Sequence, residues 1–568
     1  MKATRRGTAV TASMAATVLV LAACGSDSEE PAAPEGGGET ERSGTIVYGE
    51  DTAFPENLLP INAAANSVAQ ANILIRIQPA PFFVMPDFTV VADPDLNASD
   101  PVIEETDTGQ VVTYEIKEEA VWSDGTPITA ADFEYTWRLQ RSVDPADGGC
   151  ADLVGSTGYE QIESVEPGDS DKTAVVTFSS PYPDWQILFT LYPAHLMDAG
   201  DDVANCAVVT NGWPVAEGLP EDFSGGPWQL KAENIDAGAQ VLTLTPNEMW
   251  WGEGPLLESM VYQTIGGESA VQVAGLESGD VQLVSPQPQL DLVDQIKGLE
   301  PNIVSQTTFG LSFEHFDFNT ANVHLAKPEV RKAFALALNR EELVSATVGA
   351  FDDRAQLLNN RFYVNNQSQY EDTAPEQYNT QDIAGAKELL ESVGYTLGDD
   401  GIYEHPQDGR LQVRISTTQA NPLREATIDL TTAQVVEAGI AIEKFLDPDI
   451  FSGNLDDGNF DIALYAWVVS PFVSGLSDIY LTGGGSNYTG GGNAEADALM
   501  EQLKVEIDPD AAAQLANDAD RLLWEDLAQL PLYQKPDFTA WSSTFEGIEP
   551  NASSAGPVWN SDKYRVVS

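Results

Sequence analysis

Three cysteines, four histidines and 89 carboxylates carry most of the chemical capacity of this 568-residue chain. His195, His315, His324 and His405 are scattered along it, so imidazole gives no nickel or haem-like metal site, and no metal ligand set is expected. No Gly-x-Ser-x-Gly elbow, His-Glu-x-x-His helix or phosphate-cradling Gly-x-x-x-x-Gly-Lys-Ser/Thr loop occurs. Paired acids are inevitable among so many and read as a solvated face; no catalytic residue and no cofactor are expected. With 27 Lys plus Arg, the formal net charge is −62 and the isoelectric point near 4.1, which excludes nucleic acid as a partner because neutralising phosphates needs clustered cations. The acidity has two readings, salt adaptation of a hydrated surface or a field that steers cationic ligands; acids spread along the whole chain favour the first.

The first cysteine belongs to a leader. Lys2, Arg5 and Arg6 precede an apolar run over residues 8–23, too short to span a bilayer, which ends in Leu21-Ala22-Ala23-Cys24-Gly25. This is an export signal, and it resembles bacterial lipoprotein signals, in which the cysteine is lipidated and becomes the new N-terminus. Cys24 is then the membrane anchor, with residues 1–23 removed. Residues 24–44 hold Ser, Glu, Pro and Gly with almost no apolar side chain and form an acidic, disordered tether. Export places Cys150 and Cys206, 56 residues apart, in an oxidising exterior, where one disulfide is the default and two unpaired buried thiols the alternative.

The elements that must position the remaining residues alternate between strand and helix. Residues 110–117 (QVVTYEIK) alternate apolar and polar, and an Asp124-Gly125 turn follows. Thr129 N-caps a helix with Asp132 three residues on, and Phe133 and Trp137 share a face. Pro328 opens a helix whose apolar spacing runs to about Val348; Asp382 caps another that closes at Gly394; Asp508-Pro509 starts a third, stopped by Pro531. Strand-like runs occupy 241–244, 281–284, 311–318, 411–415 and 440–445. The class is α/β. Residues 482–493 (TGGGSNYTGGGN) read as a mobile loop, either a ligand-touching lid or a surface excursion.

Several segments in one order resemble the extracellular solute-binding proteins of the peptide/nickel type (family 5), the large binding proteins of ABC importers. They are residues 114–117 leading to Val121-Trp122-Ser123-Asp124-Gly125-Thr126-Pro127, Gly225-Gly226-Pro227-Trp228, Trp250-Trp251-Gly252, Leu276-Glu277-Ser278-Gly279-Asp280, Asp317-Phe318-Asn319 and Ala337-Leu338-Asn339-Arg340-Glu341. The resemblance covers about residues 45–568. It implies a two-lobed periplasmic-binding-protein-like clamp of type II with a third subdomain inserted in the first lobe. The first lobe would comprise 45–77, 206–305 and 530–568, the inserted subdomain 78–205, and the second lobe 306–529. It further implies a monomer that holds a peptide or other small solute between the lobes and presents it to the transmembrane permease of an ABC importer. Related lipoproteins that act in phosphatidylinositol mannoside assembly give the alternative, an envelope role without import.

In peptide binders of this family a Trp, followed by an Asp, contacts the ligand from the second lobe, and the Asp pairs with the peptide's amino terminus. The matching stretch here is Ala466-Trp467-Val468-Val469-Ser470, with Ser470 where the acid would stand. A neutral hydroxyl is a poor substitute for a carboxylate against an ammonium. Asp478, eight residues on, is a possible replacement, and Tyr488 in the Gly-rich loop a further contact. From the first lobe, the resemblance assigns Asn62 and Asn66 near the early Asn57-Leu58-Leu59-Pro60 segment, and Gly226 and Trp228 near the hinge.

Overall fold

The computed structural model describes residues 42–567 apart from residues 64, 66, 108 and 420. Cys24, the leader, most of the tether and Asn66 therefore lie outside the described residues. An 11-stranded mixed sheet crosses the molecule in the order Ala441–Leu446, Gln412–Thr417, Ile462–Val468, Ile303–Phe318, Gln529–Ser542, Leu283–Val284, Thr45–Glu50, Ser259–Thr264, Val241–Pro246, Trp228–Gln229, with Ile235–Asp236 paired beside Val241–Pro246. Helices join its parallel strands: Ser269–Ser278 links Ser259–Thr264 to Leu283–Val284, which flank Thr45–Glu50 and both run parallel to it, and Pro422–Val435 links the parallel pair Gln412–Thr417 and Ala441–Leu446. The chain is an α/β protein, as its alternating pattern requires.

Two strands hold the halves of this sheet together. Ile303–Phe318 and Gln529–Ser542 run antiparallel for 16 and 14 residues, well beyond an ordinary strand. Their pairing steps from Phe309↔Pro536 to Phe313↔Gln534, so residues 310–312 are accommodated opposite Lys535 alone. A second irregularity follows Glu314, where Pro531 faces His315. Prolines have no N–H to give a ladder and are tolerated at such breaks. Beyond the break on one side pair Leu283–Val284 and then Thr45–Glu50; on the other pairs Ile462–Val468.

A separate antiparallel sheet of four strands, Val102–Glu105, Gln110–Glu115, Thr173–Phe178 and Ile162–Pro167, packs on helix Ala130–Gln140 around Tyr114, Trp122, Phe133 and Phe189. That helix has a complete capping box: Ala131 N donates to Thr129 Oγ1 (3.3 Å) and Thr129 N to Asp132 Oδ2 (2.8 Å). Asp suffices in place of the longer Glu, and its other oxygen accepts from Ala194 N (2.9 Å). Cys150 and Cys206 are bonded, their Cα atoms 5.1 Å apart.

Two helices differ from their sequence patterns. The stretch from Pro328 is two helices, Pro328–Ala337 and Arg340–Ala346, because Leu338 turns to an extended ψ of 135° and Asn339 caps the second through Glu342 N (3.1 Å). The helix from Pro509 ends at Asp526, not at Pro531, which lies in the long strand. Leu527 closes it in a left-handed conformation (φ 51°), which is unusual for a non-glycine residue and keeps its side chain fully buried.

Candidate ligand-binding site

Strand alternation puts Tyr465 and Trp467 on one face of Ile462–Val468, across from His315 and Phe313. The Trp467 ring is nearly parallel to two others, His315 at 6.2 Å and 5° and Tyr488 at 5.9 Å and 7°. Tyr465 meets both His315 (4.3 Å, 68°) and Trp467 (5.5 Å, 67°) edge-on. The anchor is Asp317, which accepts from Tyr465 Oη (2.6 Å) and Gln529 Nε2 (2.9 Å). Burial, and then Asp317, push the Tyr465 phenol well above its ordinary range, so it stays a donor. His315 is wholly buried with Nε2 3.3 Å from Asp317 Oδ1, out of hydrogen-bond alignment. The Trp467 indole N–H is buried without an acceptor among the described residues. Val468, 73% exposed, ends the strand.

The Gly-rich loop positions Tyr488 and is held rather than free. Asn487 Nδ2 donates to Leu481 O (2.8 Å) and Gly491 O (2.9 Å), Thr489 Oγ1 donates to Asn487 Oδ1 (2.7 Å), and Thr320 N donates to Thr489 O (2.9 Å). Gly490 has φ 65°, and a Cβ on Gly492 would fall 1.8 Å from Thr482 Oγ1, so both positions need glycine. Phe451, in the π-turn Ile450–Asn454, is 58% exposed and meets Tyr465 edge-on at 5.8 Å. Phe451 and His315 are not among the residues expected to touch an organic ligand; the alternation of residues 313–317 with 465–467 is the signal that points to His315.

The other expected residues separate into groups. Ser470 Oγ accepts from Phe472 N (3.2 Å) and donates to Phe472 O (3.1 Å), so its hydroxyl closes a local turn. Asp478 is exposed on the short helix Ser477–Tyr480 beside Gly485. Trp228 and Gly226, expected to offer backbone donors near the hinge, use them within the chain: Trp228 N donates to Arg76 O (3.2 Å) and Gly226 N to Ser224 Oγ (3.3 Å), while the Trp228 ring is fully buried in the apolar core and donates from Nε1 to Ser561 Oγ (3.1 Å). Gly226 likewise belongs to packing: a Cβ there would lie 2.4 Å from Arg76 O, and its carbonyl accepts from Asn247 Nδ2 (2.9 Å). Asn62 is buried and donates its amide to Val209 O (2.8 Å).

Charged groups flank the long strands. Burial would raise the carboxyl of Glu314, but Arg424 (Nη2 to Oε1, 2.9 Å) and Lys535 outweigh it and hold it below the usual range. At the end of Thr45–Glu50, burial and then Asp51 push Glu50 up to about 7, against one hydrogen bond from Asn72 Nδ2 (3.4 Å). Among the described residues no group of three His, Cys, Asp or Glu is placed to hold a metal, and no helix is long and apolar enough to cross a membrane.

The family model of bacterial extracellular solute-binding proteins, family 5 (middle) matches residues 93–489. The oligopeptide-binding protein OppA of Mycobacterium tuberculosis (strain H37Rv) is 31% identical over 504 residues, covering 87% of this chain and 80% of that protein. The probable monoacyl phosphatidylinositol tetramannoside-binding protein LpqW of Mycobacterium tuberculosis (strain CDC 1551) is 28% identical over 367 residues, covering 62% of this chain and 52% of that one. Among solved structures, the periplasmic EDTA-binding protein EppA superposes with a TM-score of 0.85 at 27% identity, covering 94% of this chain and 98% of that one. The fold is thus the type II clamp of periplasmic solute-binding proteins, and the chain belongs to the bacterial extracellular solute-binding proteins of family 5.

Proposed function

We propose that the chain is the lipid-anchored solute receptor of an ABC importer, taking oligopeptides or similar small solutes between its lobes and presenting them to the permease, without catalysing a reaction. On this reading the lobes are 45–77 with 206–305 and 530–568, the inserted subdomain 78–205, and the second lobe 306–529, with the anchor at Cys24. The observation that carries it is the Trp467 platform. Trp467, the residue matched to the family's ligand-contacting Trp, stacks with two rings, keeps an indole N–H without an acceptor among the described residues and stands next to the strand break that joins the halves of the sheet, which supports the reading. The platform suits an apolar side chain together with one carbonyl acceptor. Ser470, spent on its own turn, offers a peptide's ammonium no charge, so side-chain and backbone contacts must supply the affinity here.

The chain from Gly25 onward, the mature chain without its anchor residue Cys24, is melted against mixed oligopeptides, oligosaccharides, mannosylated phosphoinositides and a metal–EDTA chelate. A ligand at a hundredfold excess over its dissociation constant stabilises by about 2.7 kcal/mol. A peptide response supports the importer reading; silence with peptides and a glycolipid response would replace it by the envelope role that similarity to LpqW keeps in view.

A further inference from the structure

Residues 82–92 form a hairpin of strands Phe82–Val84 and Val90–Ala92, with Phe88 N donating to Met85 O (2.8 Å) in its turn. Phe88 stands at the tip with φ 67°, a left-handed conformation disfavoured for a residue with a Cβ. A large aromatic at a hairpin tip is normally exposed, yet Phe88 is 5% exposed. It lies in one buried cluster with Leu311, Phe313, Tyr363, Val469 and Val473, residues distant from it in the chain and grouped around the second half of the sheet.

A polar contact joins the same two parts. Asp184 precedes the short turn Trp185–Ile187 and does not cap it. Its carboxylate instead accepts from the hydroxyl of Ser474, 290 residues away, and the neighbouring backbone of Ser474 and Gly475 offsets part of the rise in its pKa that burial causes. Asp184 is 8% and Ser474 6% exposed. Each is mounted on a packed base: Trp185 meets Phe82 edge-on at 5.3 Å, while Val473 and Leu476 are buried in the cluster that covers Phe88. Ser474 lies seven residues after Trp467, at the margin of the candidate site.

We propose that Phe88 and Asp184 form a two-point clasp by which the inserted subdomain holds the second lobe in the closed clamp, making Asp184 a positioning residue for ligand retention. The apolar point supplies burial, and the charge-assisted point fixes where the closed lobes register. The clasp uses no atom of the ligand. It rests on the two-lobed reading above, and its tests contain no ligand, so the clasp and the choice of solute fail separately.

Hydrogen exchange on the full mature chain reads the clasp directly. The amides of Ser474 and Gly475 are expected to be protected in the parent and to exchange at least about tenfold faster in Asp184→Ala, with Phe88→Ala moving them in the same direction. In parallel, spin labels on Asp169→Cys and Glu501→Cys report the separation of the two parts; its distribution is expected to shift to longer distances in both variants. If Asp184→Ala does not fold, Asp184→Asn, Ser474→Ala and their combination give a double-mutant cycle in melting, where a combined loss smaller than the sum is expected. Unprotected amides in the parent, or protection and label distances unchanged by the variants, would overturn the clasp, as would strict additivity in the cycle.

Discussion

Glu50 is the clearest single residue whose surroundings set its behaviour. Its ordinary value of 4.5 rises to about 7 in the folded chain, through burial first and Asp51 second. The folded state therefore keeps a proton that the unfolded chain gives up. The stability linked to that proton is fully present below about pH 4.5 and is lost as pH rises through 7. Glu50→Gln, which mimics the protonated form, is expected to stabilise by on the order of 1–3 kcal/mol at pH 8 and by nothing at pH 4. Denaturant melts at the two pH values check this, and parallel profiles for parent and variant would refute it. The two tryptophans make a second contrast. Trp467→Ala is expected to weaken solute binding roughly tenfold, the loss of one stacked anchor, with a small change in melting. Trp228→Ala, by emptying a fully buried site, is expected to cost about 3–5 kcal/mol of stability while correctly folded molecules bind as before. Titration calorimetry beside thermal melts separates the two.

At the scale of elements, a few local devices decide which segments are rigid. The Gly-rich loop reads as mobile from composition, yet Asn487 satisfies the Leu481 and Gly491 carbonyls and so fixes the ring of Tyr488 against Trp467. Asn487→Ala leaves both carbonyls without that donor. Faster exchange over residues 482–493 and weaker solute binding are expected together; a rigid loop with intact binding would show that Tyr488 is placed by other contacts. The Cys150–Cys206 bond links the turn after helix Ala130–Gln140 to helix Asp202–Asn211 across 56 residues. Replacing both with serine, or reducing the parent, is expected to lower stability by about 2–4 kcal/mol without changing the Trp467 platform.

For the whole molecule, 89 acids against 27 basic residues impose a net repulsion that folding concentrates. Raising NaCl from about 0.1 M to 1 M shortens the screening length from ~10 Å to ~3 Å, and the melting temperature is expected to climb over that range. If the acidity is salt adaptation, solute affinity stays nearly level across it; a steep loss of affinity with salt would instead identify the acidic field as a device that draws in cationic ligands.

Local physics acts over a few residues, and what depends on it was readable in order along the chain. The alternation of 110–117 marks Gln110–Glu115 as a strand. Thr129 with Asp132 caps a helix, as do Asp382 and Asp508, and Gly394 closes its helix at φ 93°. The ordered segments from Tyr114 to Glu341 were enough to name the family. The break of one expected helix at Leu338 and the left-handed stop at Leu527 were hidden, because packing chose backbone conformations that local propensity does not favour. The site was only partly visible. Trp467 and Tyr488 meet in a stack, whereas Trp228 and Gly226, equally conspicuous in the sequence, are consumed by the core. Composition, periodicity and caps were thus determined by the sequence alone. Which aromatic rings stack, why Phe88 is buried at a hairpin tip, and that Asp184 meets Ser474 across 290 residues were decided by tertiary structure, because burial and charge pairing depend on which distant surfaces close on one another.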